Sequence, residues 1–216
     1  MRVARTLQKQ LATLRFLRAT SDCWGKSMIP AQYCRQVARN FDRLAGAADL
    51  ITQAATHIIK ALDADNKVIL CGNGGSAADS QHLAAELVGR YKLERRALPA
   101  LALTVDTSAL TAIANDYAFS DVFSRQLAAL GRRGDVLIAL STSGDSANVL
   151  NVISAARPLG LFTIGLTGET GGKMREACDL CLCMPSRETN HIQEMHIAVG
   201  HMMCGLIEQA LCSARS

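Results

Sequence analysis

The sequence predicts a doubly wound α/β fold: a parallel sheet flanked by helices in a three-layer sandwich, with helices before the first strand. Three observations lead there. From residue 67 onward, short apolar runs alternate with amphipathic stretches. The runs are continuously apolar, as in strands covered on both faces. Residues 31–65 have helical periodicity and no strand signal.

Taken in order, residues 31–65 predict two helices starting after Pro30, a residue that suits a boundary. "KVILCG" (67–72) predicts the first strand, followed by a helix capped by Ser76. "ALALT" (100–104) is the second strand, with helices expected around 107–114 and 120–130. "DVLIAL" (135–140) is the third, with a helix from Ser146, and "LFTIGLT" (161–167) and "DLCLCMP" (179–185) follow, each with a helical segment behind it. The last helix, roughly 187–211, is apolar nearly all round, so it is expected to be buried in its own core or against another subunit.

The 216 residues suffice for one domain, expected at 31–216, with residues 1–30 as an extension. Hydrophobic residues make up 49% and aromatic ones only 4%, which predicts an aliphatic core with apolar surface left over for subunit contacts. No run approaches the ~18 apolar residues of a membrane span, and the first twenty residues lack the apolar centre of a secretory signal. The expectation is a soluble cytoplasmic protein with no membrane partner, its eight cysteines reduced. The net charge of +4 owes much to "MRVARTLQKQLATLRFLR", which has five basic residues and no acidic one. No aromatic residues interleave there in the manner of a nucleic-acid surface, so no nucleic-acid partner is expected.

Two loops after predicted strands suit a ligand, because in open α/β sheets ligands sit beyond the carboxyl ends of the strands. "GNGGS" (72–76) permits close backbone approach. "STSGDS" (141–146) crowds four hydroxyls, Ser141, Thr142, Ser143 and Ser146, around Gly144, an arrangement suited to a phosphate monoester. Capping and turn chemistry explains one serine and one glycine per loop, and it does not readily explain four hydroxyls in six residues. Nucleotide fingerprints fail on spacing: the third glycine of G-x-G-x-x-G would fall at Ala77, and no Gly-Lys-Ser/Thr occurs.

On a helix from Ser76, Asp79, His82, Glu86 and Arg90 form one polar stripe, because residues four apart lie ~40° from each other around the axis. Such a stripe is either a solvated face or, at the mouth of a glycine loop, a functional one. Its His/Glu pair at i, i+4 suits metal ligation or acid–base work. "HIQEMHIAVGH" (191–201) offers His191, Gln193, Glu194, His196 and His201 in an apolar helix, where polar groups are costly unless paired. Gln193 and His201 are ~80° and ~12 Å apart on that helix, so they reach one metal only from its two sides. In "CDLCLC" (178–183) no second C-x-x-C pair exists, and the cysteines read as small buried hydrophobes.

Together, "CGNGGSAADSQHLAAEL", "LTAIANDYAFSDVFSRQ", "GDVLIALSTSGDSANV", "TGETGGKM" and "IQEMHIAVGH" resemble the phosphoheptose isomerases of the sugar isomerase (SIS) domain family, over about residues 40–211. The resemblance implies a flavodoxin-like SIS fold and a homotetramer with active sites between subunits. It also implies conversion of sedoheptulose 7-phosphate to D-glycero-D-manno-heptose 7-phosphate, towards the heptose of bacterial lipopolysaccharide. Carried over, it implies one zinc per subunit held by His82, Glu86, Gln193 and His201. The implied substrate contacts are Asn73, Gly74, Gly75, Glu86, Arg90, Asn115, Asp116, Ser141, Thr142, Ser143, Ser146 and Gln193. Glu86 would be the base and His201 its proton-moving partner.

Asp145 departs from the asparagine common in the family and adds a negative charge beside the expected phosphate. Two alternatives accompany the resemblance. One is a non-catalytic SIS-domain protein that binds the replication initiator, in which the positions of Glu86 and His201 hold non-catalytic residues. The other is an isomerase of a different phosphosugar.

Overall fold

A computed structural model describes residues 29–212. The basic segment and most of the extension expected at 1–30 lie outside the described residues. The chain separates into two compact units with the boundary after Arg39. That boundary falls inside the first described helix, α1 (Pro30–Leu44). In the first unit, Arg39 donates to Gln36 Oε1 at 2.6 Å along the helix.

The unit from Asn40 onward contains the sheet. A 3-10 turn (Ala45–Ala47) leads into α2 (Ala48–Asp63), β1 (Val68–Gly72) and α3 (Gly75–Val88). Then come β2 (Ala100–Ala102), α4 (Thr107–Asp116), a second 3-10 turn (Phe119–Asp121), α5 (Ser124–Leu130) and β3 (Val136–Leu140). The described residues continue through α6 (Ala147–Leu159), β4 (Phe162–Thr167), α7 (Met174–Ala177), β5 (Leu180–Cys183) and α8 (Thr189–Cys212).

All strands pair in parallel, in the order β2-β1-β3-β4-β5. Every residue of β1 and β3 is buried, which is why their sequences are continuously apolar. The two-residue period of a strand sends alternate side chains to two cores. Val68, Leu70, Ile138 and Leu140 face Ile58, Leu83, Leu87, Val199 and Ile207 of α2, α3 and α8. Ile69, Cys71, Leu137 and Ala139 face Leu127, Val149, Val152 and Ile153 of α5 and α6. Each such aliphatic side chain stabilises the fold by roughly 1.5–3 kcal/mol, so the central strands form the rigid floor on which the loops stand.

Three elements differ from the sequence expectation. The second strand pairs over only three residues, because β2 is an edge strand held by β1 alone. The helical segment behind β4 is a single turn, α7. Helix α3 begins at Gly75, with Gly74 as its N-cap at φ +54°, so Ser76 is a buried residue of the first turn and not the cap. The left-handed turn at Gly74 starts the helix one residue early and brings the Ser76 backbone against Gly72, where an added Cβ would lie 2.7 Å from Ser76 O. Among the described residues, no helix is long and apolar enough to cross a membrane.

Candidate active site

The sheet order reverses between β1 and β3: from β1 the chain moves outward to β2, then returns to lay β3 on the other side. That switch point is where an open α/β sheet leaves a crevice at its carboxyl edge. The 72–76 and 141–146 loops both stand there, after adjacent strands. A reciprocal amide pair joins them: Asn73 Nδ2 donates to Asn148 Oδ1, and Asn148 Nδ2 to Asn73 Oδ1, both at 2.8 Å. Asn148 is 3% exposed, so its amide is satisfied by this pair in place of water.

In the second loop the hydroxyls turn to one another. Ser141 Oγ lies 2.9 Å from Ser146 Oγ and 3.4 Å from Ser143 Oγ. Ser146 is the N-cap residue of α6, yet its side chain makes no capping hydrogen bond. Ordinary capping therefore does not account for it, and a cluster of hydroxyls beside open helix N–H groups remains. The loop is set by backbone contacts with the segment 168–174: Gly168 N–H donates to Thr142 O and Met174 N–H to Gly144 O, each at 3.1 Å. Gly144, at φ +71°, has no room for a side chain, since a Cβ would lie 2.0 Å from Gly171 O. The Asp145 carboxylate accepts from Lys173 N–H at 3.1 Å, so its charge is engaged by that segment.

The second part of the site stands on two helices that run parallel. Gly75 meets Gln193 at their N-terminal ends, Leu83 meets Gly200 midway, and Tyr91, just past α3, meets Glu208. Between those contacts His82 Nε2 lies 3.0 Å from His201 Nε2 and 3.3 Å from Glu86 Oε1. Ligand atoms of His82, Glu86 and His201 all lie within 4.8 Å of one another. Two imidazole nitrogens and a carboxylate oxygen are a donor set of catalytic zinc sites. Zn–N bonds of about 2.0–2.1 Å in tetrahedral array set two nitrogens roughly 3.3 Å apart, close to the separation seen. The residues fit a zinc ion. The His82 side chain is 51% exposed and that of Glu86 20%, so the cluster opens to solvent on the His82 side.

Gln193 enters from α8, with its amide against Gly75 at the mouth of the first loop. Asp79, one turn before His82, has a buried Oδ2 without a hydrogen-bond partner. Burial pushes its carboxyl above the usual carboxylate range, and His82 offsets part of that. Asn115 and Asp116 end α4, both exposed, with Asn115 Nδ2 donating to Asp116 Oδ1 at 2.8 Å. Arg90 follows α3 and pairs at 3.9 Å with Glu94. Gly74, Gly75, Ser141, Thr142, Ser143 and Ser146 stand together at the crevice, whereas Arg90, Asn115 and Asp116 are tied to their own neighbours.

The other polar residues of "HIQEMHIAVGH" have partners elsewhere, although His196 Nδ1 is buried without a hydrogen bond. His191 Nδ1 lies 2.9 Å from Glu194 Oε2. His196 is fully buried and donates its Nε2–H to Thr167 O at 3.2 Å. Burial pushes His196 down to about 4, the Thr167 carbonyl offsetting part of the effect, so the ring is neutral. Burial likewise pushes the Cys178 and Cys181 thiols up to about 12. They are protonated at neutral pH, as small buried side chains are.

Sequence reasoning missed Asn148 and Tyr91. An amide in the first turn of the apolar segment "ANVLNV" was the available signal for the first. For Tyr91 there was none, since its partners lie more than 100 residues away.

Comparison with known proteins places the chain in a family. The SIS domain profile matches residues 32–168. A phosphoheptose isomerase of Rhodospirillum rubrum is 60% identical over 181 residues, 84% of this chain and 96% of that protein. One from Akkermansia muciniphila is 57% identical over 175 residues, 81% of this chain and 93% of that protein. The solved phosphoheptose isomerase of Neisseria gonorrhoeae superposes with a TM-score of 0.79 at 45% identity, over 83% of this chain and 96% of that one. The chain belongs to the SIS domain family and, within it, to the phosphoheptose isomerases.

Proposed function

We propose that this chain is an aldose–ketose isomerase that converts sedoheptulose 7-phosphate to D-glycero-D-manno-heptose 7-phosphate, for lipopolysaccharide heptose synthesis. The observation that carries the reading is the convergence of His82, Glu86 and His201 in one cluster, in a domain whose sheet also carries a hydroxyl-lined loop. One half suits proton transfer next to a carbonyl, the other a phosphate.

Isomerisation moves two hydrogens. The Glu86 carboxylate takes the proton from C1 of the ketose, leaving an enediol, and returns it to C2. The His201 imidazole moves a proton between O1 and O2, so that C2=O becomes C2–OH and C1–OH becomes C1=O. Ser141, Thr142, Ser143 and Ser146, with the N–H groups that open α6, hold the distal phosphate, and Asn73 to Gly75 line the path between. That grip fixes C1 and C2 at Glu86 without taking part in the chemistry. Zinc, held by His82, Glu86, Gln193 and His201, supplies Lewis-acid polarisation of the two oxygens when bound. The catalytic domain in this reading is residues 31–216, with Arg90, Asn115 and Asp116 contacting substrate in an assembled homotetramer. Exposed Val105, Tyr117, Phe119 and Leu130 support such an assembly, and the compartment in this reading is the cytoplasm.

The test follows aldose formation from sedoheptulose 7-phosphate with and without a chelator, and with Glu86→Gln. Turnover by the wild type, its loss on chelation, and a fall of about 10²–10⁴ in kcat for Glu86→Gln are expected. No turnover by the wild type, or full activity of Glu86→Gln, overturns the reading. Capture of the replication initiator without turnover supports the binding-protein alternative.

A further inference from the structure

We propose that Tyr91 is a positioning residue of the active site, its ring held against the His201 imidazole by the buried Arg95–Glu208 ion pair. The proposal rests on the isomerase reading for its effect on turnover, and on geometry alone for its effect on the histidine.

Glu208 lies two turns beyond His201 on α8 and is 1% exposed. Its carboxylate accepts four donors. Tyr91 N–H at 2.9 Å and Arg95 Nε at 3.0 Å reach Oε1, while Lys92 N–H at 2.9 Å and Leu93 N–H at 3.0 Å reach Oε2. The guanidinium then fills the open end of α3. Arg95 Nη2 donates to Glu86 O at 2.7 Å, and Nη1 to Leu87 O at 2.9 Å and Gly89 O at 3.1 Å. Gly89, at φ −79° and ψ −101°, does not supply the left-handed turn that usually satisfies such carbonyls. One ion pair thus ties the turn bearing Glu86 to the helix bearing His201.

What the tie presents to the site is an aromatic face. The Tyr91 and His201 rings stack with centroids 5.5 Å apart and planes 19° apart, and His201 meets His82 edge-on at 5.2 Å and 66°. A metal-ligating histidine usually has its second nitrogen anchored by a carboxylate or carbonyl. Among the described residues, no hydrogen bond reaches His201 Nδ1. The terminal torsion of histidine is broad, so the stacked ring sets the imidazole plane and with it the direction of Nε2.

The test uses the full chain, stripped by chelator and titrated with Co²⁺, with its visible spectrum, kcat, KM for sedoheptulose 7-phosphate and melting temperature as readouts. Tyr91→Leu, which keeps apolar bulk without the ring, is expected to weaken Co²⁺ binding and to lower kcat, each by about 10–100-fold. KM is expected to move less than about threefold, because the phosphate loop is untouched. Tyr91→Phe recovers binding and kcat to within about threefold, since the ring and not the hydroxyl does the positioning. Glu208→Gln shifts the spectrum in the same sense as Tyr91→Leu. A Tyr91→Leu protein with wild-type Co²⁺ affinity, spectrum and kcat overturns the proposal, as does Tyr91→Phe impaired as deeply as Tyr91→Leu. If the wild type binds Co²⁺ but turns over no sugar phosphate, the isomerase reading fails, while the titrations still decide the role of Tyr91.

Discussion

The serine loop and the histidine cluster belong to one domain, and they are held in place by different means. Ser141 to Ser146 is a short stretch fixed largely through its backbone, by carbonyls and N–H groups shared with residues 168–174. His82, Glu86 and His201 come from two helices and are fixed through side chains, down to an ion pair whose side chains are 3% and 2% exposed. A backbone-held loop keeps its shape when a hydroxyl is removed, so its residues act nearly independently. A cluster held by side chains shares its partners, so changes there propagate and are not additive.

The widest separation of the two halves is expected from Ser141→Ala combined with Ser146→Ala. Each hydroxyl lost from a charged phosphate costs about 1.5–3 kcal/mol, so KM rises by about 100-fold or more while Co²⁺ binding by the histidines stays at the wild-type value. Steady-state kinetics beside a metal titration checks this, and a matching loss of metal affinity breaks the distinction. Next comes Asn148→Leu, which cuts the amide pair between the loops and leaves the Asn73 amide without its partner. An orphaned amide costs about 1–3 kcal/mol, expected as a lower melting temperature and a rise of about tenfold in KM. An unchanged KM would mean that the loops do not need each other.

The smallest effect at neutral pH concerns His196, which touches neither half. Its folded-state value, about 4, lies below the 6.5 of an unperturbed imidazole. Stability is therefore fully present above about pH 6.5 and is lost as pH falls towards 4, on the order of 3 kcal/mol over that window. Denaturant midpoints measured from pH 7 to 4 should show this acid limb, flattened in His196→Gln.

The same division explains what was legible in the sequence. Six adjacent residues spell out the serine loop, and the i, i+4 spacing of His82 and Glu86 follows from the helix period. The continuous apolar runs of β1 and β3 give the sheet because both their faces are covered. The pairing of His82 with His201 is set by the docking of α3 on α8, which no local pattern encodes; only the family resemblance supplied it. Asn148 and Tyr91 stayed hidden because each acts on a residue at least 75 positions away. The start of α3 was misjudged because a serine was read as a cap where a left-handed glycine does that work.

The parallel run of α3 and α8 behaves like a pair of ratchets meshed at three teeth: Gly75 on Gln193, Leu83 on Gly200 and Tyr91 on Glu208, always offset by 117 or 118 positions. Inserting one residue into either helix between those teeth would turn everything beyond it by about 100°. The meshing would fail at the histidine cluster and at the ion pair together. Length, more than composition, is thus the quantity these two helices cannot trade, and the Tyr91–Arg95 connection shares that constraint because it binds Glu208 from both sides of Glu94.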